Sequence, residues 1–271
     1  MHADQLFLLP EPQQSDDNTW LFENLVIPAD WGQGRTAFGG ITAGLVFQAI
    51  GSQVETGRLL RSFTTNFVGP LTLDAPFSVQ VSRLREGKNV SQLTGQIIQH
   101  DRVCVFCQAC FGQARKSKIR VENTEQHQLE APAKANFIPQ IPKVTPRFLR
   151  HFELSVDKGG LPFTWKKDSV YEGFMRFKEA PEVITDAHVI TLIDAWPPTL
   201  LQMMKLPAPA STVSWNIEFI HPHHEVSPDA WFAYKAHTRQ AADGYGHTEA
   251  TIWNSHGDVI ALSRQTVAVF D

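Results

Sequence analysis

Apolar and polar positions alternate with a period of two along most of the chain, and only two stretches break into helical spacing. Alternation places successive side chains on opposite faces of a strand. It predicts strands over 20–27 (closed by Pro28), over 62–67 (with Phe63, Thr65 and Phe67 on one face, ended by Gly69-Pro70), and over 77–82, 92–99 and 103–111. His100-Asp101 falls between the last two as a turn. The second half repeats the signal over 148–156, 170–178, 213–220, 231–238, 248–254 and 259–270, with His256-Gly257-Asp258 as a hairpin turn. Ile41, Leu45 and Ala49 have helical spacing directly after Gly39-Gly40. A second helix is predicted over 186–202, capped by Thr185 or Asp186 and bent at Pro197-Pro198. Residues 1–17 read as a loose lead-in, and 114–146, with four prolines and Lys116, Lys118 and Arg120, as a linker.

One segment of each half aligns with the other without a gap. Ser62-Phe63-Thr64-Thr65-Asn66-Phe67-Val68-Gly69-Pro70 lies against Ser214-Trp215-Asn216-Ile217-Glu218-Phe219-Ile220-His221-Pro222, with Ser, aromatic, polar residue, Phe and Pro at the same offsets. Each half is then strand, helix and about four antiparallel strands, a period too long for a solenoid. An α+β fold built from a duplicated unit follows, 18–113 and 147–271 joined by the linker. Each sheet buries one face, and one long helix per half is available to cover it.

Composition narrows the function. With 271 residues, 42% hydrophobic and 19% charged, the chain is long enough for a full core. A formal charge of −4 argues against nucleic acid or an anionic membrane as partner. The N-terminus has no basic region before its short apolar run, and no run is long enough to span a bilayer, so a cytoplasmic location is expected. Cys104, Cys107 and Cys110 lie in a strand-like segment that points Cys107 away from the other two. They therefore cannot converge on one metal, and reduced core cysteines are expected. His221-Pro222-His223-His224-Glu225 matches no zinc spacing and reads as a solvated loop. The absence of G-x-S-x-G, G-x-G-x-x-G and P-loop patterns disfavours elbow-type serine hydrolases, dinucleotide enzymes and ATPases.

One carboxylate stands apart. In Val189-Ile190-Thr191-Leu192-Ile193-Asp194-Ala195-Trp196-Pro197-Pro198, Asp194 has no cationic neighbour, and burying it is costly unless the fold supplies partners. It either caps a helix starting at Ala195 or does chemistry, and the residues alone leave both open. The ungapped repeat sets Thr42 or a close neighbour against it, so the first half has no matching acid.

Phe38-Gly39-Gly40 opening a helix, Arg61-Ser62-Phe63-Thr64-Thr65-Asn66-Phe67 and Leu84-Arg85-Glu86-Gly87 together resemble the first half of a type II acyl-CoA thioesterase. Ile193-Asp194-Ala195, Thr212 ten residues before Pro222, and Val259-Ile260-Ala261-Leu262-Ser263-Arg264-Gln265 resemble its second half. Trp196-Pro197-Pro198 departs from the family pattern. The resemblance implies a double hotdog, two curved antiparallel sheets each wrapped around a long helix. It also implies hydrolysis of acyl-CoA to free acid and coenzyme A, with no metal or cofactor, and a homodimer or higher homo-oligomer. Asp194, Thr212 and Gln265 fall where the family holds its attacking water, and Phe38, Gly39 and Gly40 where backbone N–H groups would meet the oxyanion or substrate. A non-catalytic acyl-thioester binder and an enoyl-thioester hydratase are the alternatives. The D-x-N-P-x-H pattern expected of a hydratase is missing.

Overall fold

The computed structural model describes residues 1–142 and 144–270. Short helix α1 (Ala3–Phe7) and strands β1 (Gln13–Asp16) and β2 (Thr19–Leu25) lead into a two-stranded ribbon of β3 (Gly32–Gln33) and β4 (Thr36–Ala37). Helix α2 (Gly39–Gly51) follows, then β5 (Arg58–Phe67), β6 (Phe77–Glu86), β7 (Val90–Gln99) and β8 (Arg102–Gln113). The second half runs β9 (Phe152–Lys158), β10 (Val170–Phe177), α3 (Asp186–Ile193), β11 (Ala210–Phe219), β12 (Phe232–Ala242), β13 (Tyr245–Trp253) and β14 (Val259–Val269). Twelve strands form one antiparallel sheet in the order β1-β2-β6-β7-β8-β5-β11-β14-β13-β12-β10-β9. The order is a mirror about the β5·β11 pair, so each half contributes an equivalent curved six-stranded unit.

The repeat in the sequence locates the symmetry axis. Its alignment equates Thr64 with Asn216, and those residues sit directly opposite each other in the β5·β11 ladder. The Asn216 amide donates to Thr64 Oγ1 at 2.9 Å. A bulge recurs at equivalent places, between Leu60 and Ser62 in β5 and between Thr212 and Ser214 in β11. Phe63 and Thr65 face the core as the alternation predicts. His100 and Asp101 turn from β7 to β8 with φ of 51° and 59°, the left-handed conformation that a two-residue hairpin needs.

Both helices lie inside the curve. Gly40 to Phe47, and every residue from Ala187 to Ile193, are buried, the mark of helices enclosed on all sides. They run antiparallel and nearly touch. A Cβ on Gly40 would stand 2.8 Å from the Thr191 carbonyl oxygen, and one on Gly44 2.8 Å from that of Ala187. The Thr191 hydroxyl closes the contact, 2.8 Å from Ala187 O and 3.2 Å from Gly40 O. Glycine is needed at 40 and 44 because the backbones themselves meet there.

Three expectations change. The helix predicted over 186–202 stops at Ile193, with Asp194 as its C-cap, and a separate 3-10 turn covers Thr199–Met203. Pro197 disfavours helical backbone at Trp196 and Pro198 cannot donate, so two prolines end the helix rather than bend it. The second half therefore carries a helix of only eight residues. The lead-in is not loose. Ala3, Leu6 and Phe7 are buried, and Asp4 Oδ1 accepts from His188 Nε2 at 2.8 Å. The Leu6-Phe7 pair was the available signal. Finally, Asp194 ends α3 while Thr42 lies in the first turn of α2, so the ungapped comparison of the two positions fails, because the helices and the segments that lead from them to β5 and β11 differ in length.

Residues 114–146 hold no helix or strand among those described, yet they are not free of the body. The N–H groups of Asn136 and Phe137 donate to Leu154 O, and the Asn136 side chain accepts from Val156 N, which covers the outer edge of β9. Cys107 is buried on the core side of β8 beside Thr65, Cys110 is only partly buried on the opposite side, and all three thiols are free. No helix among the described residues is long and apolar enough to cross a membrane.

Candidate active site

Asp194, Gln265 and Thr212 come from three separate elements and meet in one hydrogen-bonded row. The Thr212 hydroxyl donates to Gln265 Oε1 at 3.2 Å, and Gln265 Nε2 donates to Asp194 Oδ1 at 3.1 Å. The threonine thereby fixes which end of the amide faces the carboxylate. The β11 bulge makes the row possible. Trp215 points into the core opposite Gln265, so three residues earlier Thr212 would face outward on a regular strand. The extra residue in the ladder between Thr212 and Ser214 restores Thr212 to the inner face, opposite Val267.

Helix ends set the electrostatics. Asp194 caps the C-terminus of α3, whose dipole opposes a negative charge, and abuts the N-terminus of α2, whose dipole favours one. The Gly40 N–H donates to Asp194, and a Cβ on Gly39 would lie 2.8 Å from Asp194 Oδ2. The first backbone bond of α2 runs from Thr42 N to Phe38 O, so the N–H groups ahead of it have no acceptor within the helix. The residue keeps some accessible surface, but protein atoms crowd its carboxyl group. Burial pushes its pKa up from 3.8 to about 7, against the smaller pull of the bonds from Gln265 and Gly40. A carboxyl group that titrates near neutrality and is held by two donors is equipped to take a proton from water.

Phe38 is the N-cap of α2 and stacks on Phe148, with ring centroids 3.9 Å apart. Its side chain belongs to the packing beneath the site. Periodicity alone did not disclose the wall beyond Gln265. There a small cavity, about 10 Å³ and enough for one water, is bounded by Trp196, Thr199, Tyr234, Thr248, Ser263 and Gln265. Polar Thr248 and Ser263 on otherwise apolar inner faces of β13 and β14 were the available signal.

The symmetry-related position carries none of these groups. By the shared bulge and ladder, Leu60 stands for Thr212 and Ala109 for Gln265. Phe47, Phe63 and Phe111 pack around that position, with Phe47 5.7 Å from Phe63 and 6.0 Å from Phe111. The last turn of α2 holds no carboxylate. One polar site and one apolar counterpart result.

A hot dog fold protein from Alicyclobacillus acidocaldarius superposes with a TM-score of 0.82 at 21% identity, covering 99% of this chain and 98% of that one. The acyl-CoA thioesterase II TesB2 of Mycobacterium marinum superposes with a TM-score of 0.73 at 14% identity, over 100% and 97% of the two chains. A tesB protein of Mycobacterium avium subspecies paratuberculosis gives 0.74 at 17% identity, over 99% and 100%. No curated protein matches the sequence. Family models for the acyl-CoA thioesterase N-terminal domain match residues 27–112 and for the C-terminal domain residues 126–269. The chain belongs to the acyl-CoA thioesterase family and is a thioesterase.

Proposed function

We propose that the chain hydrolyses acyl-CoA thioesters with a water activated by Asp194, in a double hotdog of units 18–113 and 147–271 that has kept one of two possible sites. The observation that carries this reading is the hydrogen-bonded row of Asp194, Gln265 and Thr212 set against the N-terminus of α2. Ionised Asp194 takes a proton from a water positioned beside Gln265. The water oxygen bonds to the thioester carbonyl carbon, and the carbonyl electrons move to oxygen. Collapse of that intermediate breaks the C–S bond, and the departing thiolate takes the proton from Asp194. A thiolate leaves readily, so a positioned water suffices without a covalent acyl-enzyme.

Gly40 N–H is engaged with Asp194, which assigns the oxyanion to Gly39 N–H and the positive end of α2. Phe38 supports that turn from below. Thr212 keeps the Gln265 amide in the orientation that addresses Asp194. No step calls for a metal or cofactor. A homodimer or higher oligomer in the cytoplasm completes the proposal, and a solution mass at or above twice 30.4 kDa is the expected light-scattering result.

Thiol release from a panel of acyl-CoA thioesters, with Asp194→Asn beside wild type, tests the mechanism. Turnover is expected to fall by about 10²–10⁴ in the variant. Undiminished turnover would remove Asp194 from the chemistry, and binding without turnover in wild type would favour an acyl-thioester binder.

A further inference from the structure

Two segments joined side by side next to the candidate site carry large apolar side chains in solvent. One is 161–168, between β9 and β10, and the other is 199–209, from the 3-10 turn to the start of β11. Backbone bonds tie them together, from Phe163 N–H to Leu201 O at 2.8 Å, from Trp165 N–H to Met204 O at 3.2 Å and from Lys166 N–H to Gln202 O at 2.8 Å. Beneath them Leu200 and Leu201 cluster with Val267, which stands opposite Thr212 in the β11·β14 ladder. On the outside, Trp165 is 66% exposed, Leu206 73%, Met203 45% and Leu161 42%. Single exposed apolar residues are ordinary, but four on two joined segments form a contact surface.

The backbone holds the indole out. Phe163 and Trp165 both adopt the left-handed conformation, with φ of 64° and 57°, which bulky side chains rarely take. Phe163 packs partly buried against the Leu200 and Leu201 cluster, whereas Trp165 projects into solvent with Lys205 Nζ 5.3 Å from its ring centroid. Strain that turns an aromatic ring toward water gains the folded chain no burial, and such strain persists where the residue serves a contact with something else.

Charge selects the partner. Lys166, Lys167 and Lys205 are all exposed beside the apolar side chains, and Asp168 is the one acid in the two segments. The formal charge of −4 on the whole chain works against an anionic surface at long range, but salt screens charges beyond about 10 Å, so at contact the local positive excess decides. A second copy seated on the patch about a two-fold axis would crowd the two sets of lysines together. A bilayer suits both features at once, since indole rings settle at headgroup depth and lysines lay apolar stems along the boundary with the ammonium groups on phosphate.

We infer that this patch docks the chain on an anionic lipid surface, with Trp165, Leu206 and Met203 entering the acyl boundary and the three lysines on the lipid phosphates. Docking in this way sets the Thr212 end of the candidate site toward the bilayer. It does not rest on the hydrolytic reading.

Co-sedimentation of the full chain with vesicles of phosphatidylglycerol and phosphatidylcholine in equal parts, beside vesicles of phosphatidylcholine alone, tests the inference. Wild type is expected to bind the anionic vesicles at least about tenfold more tightly, and to lose most of that preference at about 0.5 M salt. Trp165→Gly removes the ring and suits the left-handed backbone, so it should unfold close to the wild-type temperature yet bind about tenfold more weakly. Lys166→Gln, Lys167→Gln and Lys205→Gln together should weaken binding about a hundredfold, at about fivefold per lysine. Wild type that ignores the anionic vesicles, variants that bind as wild type does, or a Trp165→Gly protein that loses thermal stability along with binding would each overturn the inference. Binding to polyglutamate as tight as to the anionic vesicles would assign the surface to an acidic protein, and a halved solution mass in Trp165→Gly would assign it to a second copy. Either result overturns the lipid assignment. None of these readouts is turnover, so their failure leaves hydrolysis standing, and a failure of hydrolysis leaves the docking standing.

Discussion

Replacing Asp194 by Asn should make the protein more stable at alkaline pH. In the folded chain the Asp194 pKa stands at about 7, against a model value of 3.8. Between those values the folded state binds a proton that the unfolded state has released. Stability from this group is therefore fully present below about pH 4 and is lost as pH rises through 7. At about 1.4 kcal/mol per pKa unit, the loss is a little over ~4 kcal/mol as an upper bound. Residual solvent contact and relaxation around the carboxyl reduce it, and about 1–3 kcal/mol is the working expectation at pH 8. Asparagine has the same shape, stays neutral and can still accept from Gly40, so the variant avoids that loss. Urea unfolding of both proteins at pH 5 and pH 8 reads the effect directly. The stability advantage of Asp194→Asn over wild type should be larger at pH 8 than at pH 5. A variant less stable than wild type at pH 8, or a difference that does not change with pH, would refute the claim that burial strains this carboxylate.

Other consequences follow from the same geometry. Gln265→Leu removes the side-chain donor to Asp194, and a bond to a charged group is worth about 1.5–3 kcal/mol. The acidic limb of its kcat/KM profile should move up by about 1–2 pH units from the wild-type position near 7. Gly44→Ala drives a methyl to 2.8 Å from Ala187 O and 3.1 Å from the Phe7 ring, and thermal unfolding should report a loss of about 1–3 kcal/mol. Asp4→Ala takes the partner from His188 Nε2 and from Glu182 N, so limited proteolysis should cut earliest within the α1 segment, with global stability lowered by about 1–2 kcal/mol.

The strand ladder was legible because a strand with one buried face has to alternate, and the match of 62–70 with 214–222 found even the symmetry axis. The end of α3 was not, since Pro197-Pro198 permits either a bent helix or a stop, and the choice is made by where the chain must turn to bring Thr199 against Thr238. Asp194 could be singled out as a lone acid in an apolar run. Its partners could not be read from periodicity: the Thr212 bulge reverses the face that alternation assigns. Nor does any local pattern reveal that Gly39 and Gly40, from the first half, sit against an acid from the second. The resemblance to a family supplied those residues, and the bulge and the helix contact supply the physical reason they converge. Trp196 was missed because an aromatic after a helix reads as core until its unpaired indole N–H is found.

The pH dependence of kcat/KM for an acyl-CoA, measured in wild type and Asp194→Asn, decides whether Asp194 is the base. The wild-type rate should rise with pH through a single ionisation near 7, as Asp194 becomes a base, and the variant should be slower by about 10²–10⁴ and lack this limb. A variant that retains both the rate and the limb would contradict it.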